Sequence, residues 1–362
     1  MYTARENMRR CVANDKPDRY VNQYEALRIL PTPFMMFHNP RPEKGGPEVI
    51  NAWGVTYAYP NSAPSSFPVH TPDKVVVKDI EEWQDYVKAP SLDYPEEEWD
   101  KAKDLYDAVD RTKSYACTIV APGLFEQTHH LCGMDEALVN YMMYEDEMGD
   151  LLKYLTEWEL KYAELICSKL HPDAILHHDD WGSQDNTFLR PSLFEDYFLE
   201  HYKEIYKYYH EHGVELIVHH SDSYGATIVP DMIEMGIDVW QGPMSSNNVP
   251  ELVKQYGKQI SFMGMIDNKF VDFDGATYED CVKAAKDTID AVGTAEGFIP
   301  CITQGGPGSL YEYAYEGLWQ AIDEYNTAHF GFTQEQLDDA RMPINVTLPG
   351  RYKSNIKCRY SK

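Results

Sequence analysis

The sequence has no run of 18 apolar residues, so nothing in it reads as a membrane-spanning helix. It is also poor in positive charge. Lys and Arg number 32 against 59 Asp and Glu, a net charge of −27 over 362 residues. Nucleic-acid binding rests on Lys and Arg displacing counterions from phosphates, so that class is set aside, and an anionic membrane surface with it. No Cys-x-x-Cys pair occurs among the seven cysteines at 11, 117, 132, 167, 281, 301 and 358. An odd count with no framework, behind an N-terminus lacking an apolar signal core, fits a reducing cytoplasm. No Gly-x-Gly-x-x-Gly or Gly-x-x-x-x-Gly-Lys-Ser/Thr follows an apolar run, which argues against a nucleotide-binding sheet. Gly-x-Ser-x-Gly is missing too, which argues against a serine hydrolase.

What is present is an alternation. Residues 3–14 read as a short helix. Residues 31–73 are rich in proline and read as loops around a hairpin, with strands within 49–59. Residues 96–111 follow Pro95 and open with acids, a favourable helix start. From residue 113 apolar strands and amphipathic helices take turns. Strands are expected at 115–121 and within 173–182, 214–223, 236–243, 259–267 and 297–306. Helices are expected at 135–170 (broken near Gly149), 191–212 (stopped by Gly213), 226–235, 248–256, 277–292 and 309–328. Such βαβ units imply a parallel sheet with right-handed crossovers. With residues 19–22 and the hairpin region, the strand count approaches eight. The expected fold is α/β, a (β/α)8 TIM barrel with N-terminal helical and hairpin decoration, forming one domain over residues 1–345. Residues 346–362 hold five cations and no acid, and read as a basic tail.

A parallel barrel carries its active site at the C-terminal ends of the strands. Those ends read HHDDWGSQ (177–184), HHSDSYG (219–225), WQGP (240–243), GMIDN (264–268) and PCITQGGPG (300–308). Six of the 13 histidines fall in pairs at 129–130, 177–178 and 219–220. Neighbours on a strand point to opposite faces, so one member of each strand pair faces the axis. His220 and Asp222 are two apart and can converge, and Cys301 ends the last strand. Together they form a candidate metal set with an open fourth position, and the thiolate favours zinc over magnesium. The plainer alternative makes Cys301 a small buried hydrophobe and Asp222 a cap for the helix near Ala226. His178 and Asp180 are candidate acid–base groups. Trp181 is a candidate wall for a planar ligand.

The strand–loop HHDDWGSQDNTFLRPSLFEDYF, the segment VELIVHHSDSYGATIVPDMIEMGIDVW and the ending GFIPCITQGGPGS resemble the uroporphyrinogen decarboxylase superfamily. The opening RENMRRCVANDKPDR is similar to that family's start. The resemblance implies the barrel and two activities. One is cofactor-free decarboxylation of the acetate arms of uroporphyrinogen. The other is zinc-dependent methyl transfer with corrinoid proteins. The decarboxylases carry an RQAGR-type segment that grips carboxylates, whereas the matching region here reads RYVNQYEALRIL. An octa-anionic porphyrinogen would meet a −27 protein without that clamp. The methyltransferases use a His-x-Cys pair and a later Cys. His220 and Cys301 match the outer two, and Asp222 stands where the middle Cys would be.

The expectation is therefore a methyltransferase that moves a methyl group from a methoxylated, aromatic or otherwise methylated small molecule to a corrinoid protein. His220, Asp222 and Cys301 would hold zinc, with His178 and Asp180 as acid–base groups and Trp181, Tyr224 and Trp240 as walls. The corrinoid would arrive on a partner protein, and the barrel would form a homodimer. A decarboxylase-like carboxy-lyase and a non-catalytic tetrapyrrole- or corrinoid-binding accessory protein are the alternatives.

Overall fold

A computed structural model describes residues 1–343 apart from 64, 306–309 and 312. Helix Ala4–Val12 leads in, with Thr3 accepting the Glu6 N–H as its cap. Strand β1 (Leu27–Leu30) follows. Strands β2 (Val49–Ile50), β3 (Thr56–Ala58) and β4 (Phe67–Pro68) form a small antiparallel sheet of their own. The main sheet continues with β5 (Tyr115–Val120), β6 (Ala174–His178), β7 (Leu216–His220), β8 (Val239–Gln241), β9 (Ser261–Ile266) and β10 (Phe298–Ile302). Its seven strands run in the order β1-β5-β6-β7-β8-β9-β10, each parallel to its neighbours. These strands are apolar along nearly their whole length because helices cover one face and the barrel interior the other. All five residues of β7 and of β10 are buried.

The TIM-barrel expectation holds as this curled parallel sheet wrapped in helices. Among the described residues no eighth strand joins it. Residues 19–22 are buried without forming a strand, and the hairpin region pairs with itself. The gap between β10 and β1 is bridged by Gln23. Its N–H donates to the Pro300 carbonyl (3.3 Å), and its Oε1 accepts the Ile302 N–H (3.4 Å). One side-chain amide thus stands in for a missing ladder segment, so every strand end still faces one common mouth.

The helical stretch 135–170 divides at Tyr144, into Met134–Met143 and Glu145–Leu170, and not at Gly149. Glu145, Asp146 and Glu147 fill the first turn of the second helix, where its dipole favours acids, whereas Gly149 is carried inside the helix. An additional helix, Leu124–Cys132, follows β5 and carries the 129–130 histidine pair. Helix Pro191–Glu211 ends before Gly213, whose φ of +98° suits glycine. Among the described residues no helix is long and apolar enough to cross a membrane. The basic tail 346–362 lies outside the described residues.

Candidate active site

Register settles which histidines face the mouth. His177 pairs with His219 and His178 with His220 across β6 and β7, while His219 pairs with Trp240 and His220 with Gln241 across β7 and β8. The His177, His219 and Trp240 layer points to the helices. His177 Nε2 lies 2.7 Å from Glu159 of helix Glu145–Leu170, and the Tyr206 hydroxyl of helix Pro191–Glu211 is 2.8 Å from His219 Nδ1. The His178, His220 and Gln241 layer points inward.

The inner layer is prearranged. His178 Nδ1 donates to Glu126 Oε2 (2.7 Å), and His220 Nδ1 donates to Gln241 Oε1. Both rings therefore turn Nε2 to the open side. The rings stack at 4.4 Å, and His220 Nε2 lies 3.9 Å from Asp180 Oδ1. Side-chain exposures of 32% for His178 and 29% for Asp180 show that the group opens to solvent. One donor atom each from His178, Asp180 and His220 lie within 4.8 Å of one another. Two imidazoles and a carboxylate, each ring fixed through its far nitrogen, match the donor chemistry and supporting hydrogen bonds of a catalytic zinc site.

Asp179, between the two site residues on the β6 loop, does different work. Its carboxylate accepts the N–H groups of Phe125 (3.0 Å) and Glu126 (2.7 Å), the Trp181 indole N–H (2.8 Å) and the Tyr202 hydroxyl. It caps helix Leu124–Cys132 from outside the helix and so positions Glu126. Gly123 makes room for this, since a Cβ there would stand 2.5 Å from Asp179 Cβ.

Several expectations need correction. His220, Asp222 and Cys301 do not converge as a ligand set. The donors that close around His220 within 4.8 Å are those of His178 and Asp180, while Cys301 is fully buried, with burial pushing its thiol well above the usual range. Asp222 is beside the site through its N–H, which donates to Asp180 Oδ1 (3.1 Å). It does not cap the helix near Ala226, where Asn247 Oδ1 takes the Gly225 and Ala226 N–H groups instead. Trp181 and Trp240 are not pocket walls. Trp181 stacks on His219 at 3.8 Å, and Trp240 donates to the Ser221 carbonyl, both on the helix side. Tyr224 sits half-buried on the loop after β7, its N–H on the Ser183 carbonyl. His178, Asp180 and His220 are brought together as ligand-type groups. The sequence reading missed Glu126 and Gln241. A helix over 124–132 would have put Glu126 one turn from His129 and His130, but nothing in the one-dimensional pattern points Gln241 at His220.

The profile of uroporphyrinogen decarboxylase (URO-D) matches residues 51–325. The chain belongs to the URO-D family. A search of curated protein sequences gives no match. Among solved structures, a methyltransferase from Methanosarcina mazei superposes with a TM-score of 0.62 at 12% identity, covering 90% of this chain and 99% of that one. At that identity the likeness speaks for the fold.

In this URO-D family member the mouth is electrostatically unbalanced. Burial, reinforced by Asp180, pushes the Asp222 carboxyl up to about 8. Burial likewise lifts Glu126 to about 7, against the pull of His178. Burial opposes charge on His178, yet Glu126 and Asp180 together hold its ring up at about 10. Burial and the charge of His178 bring His220 down to about 4. Three carboxyl groups crowd one imidazolium, and two of them keep their protons up to about pH 7 and 8.

These shifts set a stability profile. Glu126 and Asp222 bind protons more tightly folded than unfolded, where they titrate near 4.5 and 3.8, so their contribution falls as pH rises through 7 and 8. The contribution of His178 is fully present below 6.5 and is lost as pH rises through 10. His220 acts oppositely, its contribution being lost as pH falls from 6.5 to 4. The chelator-treated protein should therefore lose several degrees of Tm between pH 6.5 and 9. Zinc should flatten that decline, because deprotonated ligands bind it better. Scanning calorimetry at the two pH values decides it, and a rising Tm in chelator would contradict the assignment.

Proposed function

We propose that this URO-D family member is a metal-assisted methyltransferase. It would move a methyl group from a methoxylated, aromatic or otherwise methylated small molecule to the cobalt of a corrinoid held by a partner protein. The observation that carries the reading is the mouth constellation, two imidazoles with Nε2 free beside the Asp180 carboxylate. The methyltransferase described for the structural neighbour supports it. His178, His220 and Asp180 would hold the ion. A bound zinc ion supplies a Lewis acid for the oxygen that loses its methyl group. Glu126 and Gln241 keep the two rings aimed. Asp222, protonated at neutral pH, offers the proton for the departing oxygen as the C–O electron pair stays on that oxygen. The partly exposed side chains of His178 and Asp180 leave the acceptor an approach from solvent.

Decarboxylation of an octa-anionic porphyrinogen ranks second, because a chain of net charge −27 would repel its carboxylates and no RQAGR-type clamp is present to hold them. The deciding experiment incubates the protein, with and without one equivalent of zinc, with a reduced corrinoid protein and a panel of aryl methyl ethers. Formation of the phenol and methylated corrinoid only with zinc is the expected result. Full transfer by the metal-free protein, or CO2 release from uroporphyrinogen, overturns the reading.

A further inference from the structure

We propose a second cation site beside the mouth, built on helix Leu124–Cys132 from Glu126, His129 and His130, with Glu126 being the shared carboxylate that also orients His178 at the mouth. It rests on the reading above only for that shared carboxylate. Helical spacing puts residues 126, 129 and 130 on adjoining positions one turn apart. One donor atom from each lies within 4.8 Å of the others. A second, independent observation points to a ligand. His129 Nδ1 is buried and has no hydrogen-bond partner in the structure. A buried ring nitrogen left bare in this way is unusual, and a cation would satisfy it.

The other groups of the cluster are already held in place. His130 Nδ1 is 3.0 Å from the Tyr57 hydroxyl, which leaves its Nε2 for another partner. Glu126 gives Oε2 to His178 and keeps Oε1 for this side. His70 approaches His129 edge-on, with ring centroids 6.0 Å apart. Burial, and then the neighbouring His70, lowers His129 to about 4, so the ring carries a lone pair at neutral pH. Two imidazoles and one carboxylate select an ion of the zinc class over magnesium or calcium. Glu126 would then hold the second cation through one oxygen and the His178 ring through the other, tying the hold on His178 to occupancy of the second site.

The test uses the full chain, stripped with a chelator and titrated with Co2+ and separately with Zn2+. Stoichiometry is read by mass spectrometry and the cobalt sites by visible absorption. The parent should bind two equivalents, and His129→Ala and His220→Ala one each, with distinct cobalt spectra. His129→Gln is the companion variant, with Tm as the folding control for all. One equivalent that survives in His129→Ala and vanishes in His220→Ala overturns the second site and leaves the mouth site standing. One equivalent with the reverse dependence supports the second site and removes the mouth metal. No bound metal in the parent overturns both.

Discussion

His220→Ala should empty the mouth of metal and lower methyl transfer by about 10²–10³-fold or more, the scale expected when the group stabilising a departing oxygen is removed. Cys301→Ala should leave metal content unchanged. The contrast follows from geometry. His220 offers Nε2 toward Asp180 because Gln241 accepts from its Nδ1, while Cys301 is fully buried and its donor is not among those gathered at His220. Gln241→Leu should fall between the two, weakening metal binding by about 10–100-fold, as loss of an orienting partner does. Metal content by mass spectrometry and turnover with saturating donor read all three. A zinc equivalent that disappears in Cys301→Ala but persists in His220→Ala would restore the thiolate as a ligand and discard the His178, Asp180 and His220 set.

Asp179→Ala should destabilise the fold by about 3–5 kcal/mol, the scale for removing one partner of a buried charged network. Four donors lose their acceptor at once: the Phe125 and Glu126 N–H groups, the Trp181 indole and the Tyr202 hydroxyl. Summing four charge-assisted bonds would overshoot, since burial of the carboxylate itself opposes part of the gain. The remaining loss is still a large share of the roughly 5–15 kcal/mol that keeps a domain folded. Urea unfolding measures it. Asp180→Ala, one residue on, should cost far less stability yet lose the metal, because Asp180 is partly exposed and its carboxylate accepts the Asp222 N–H and faces the His178 and His220 rings where Asp179 takes four buried donors. Equal stability losses in the two variants would mean that Asp179 is not the cap.

The alternation of strands and helices from residue 113 is a local property. Apolar runs, helix starts and stopping glycines report it within windows of a few residues, so the barrel and the polar strand ends were readable directly. The importance of the 177–178 and 219–220 pairs was readable for the same reason. Their inward members were not. Period-two alternation says that neighbours face opposite ways, but only register against β8 and the covering helices decides which way is in. The hairpin paired with itself because antiparallel pairing needs only a short turn, and Gln23 bridged the sheet because its neighbours in space lie almost 280 residues away. The metal set changed for a related reason. Spacing brought His220 and Asp222 together, whereas three-dimensional packing placed Asp180 and His178 at His220 and left the buried Cys301 out of that group. Residue chemistry is written along the chain; which donor atoms share a few ångströms depends on contacts between strands and helices far apart in it.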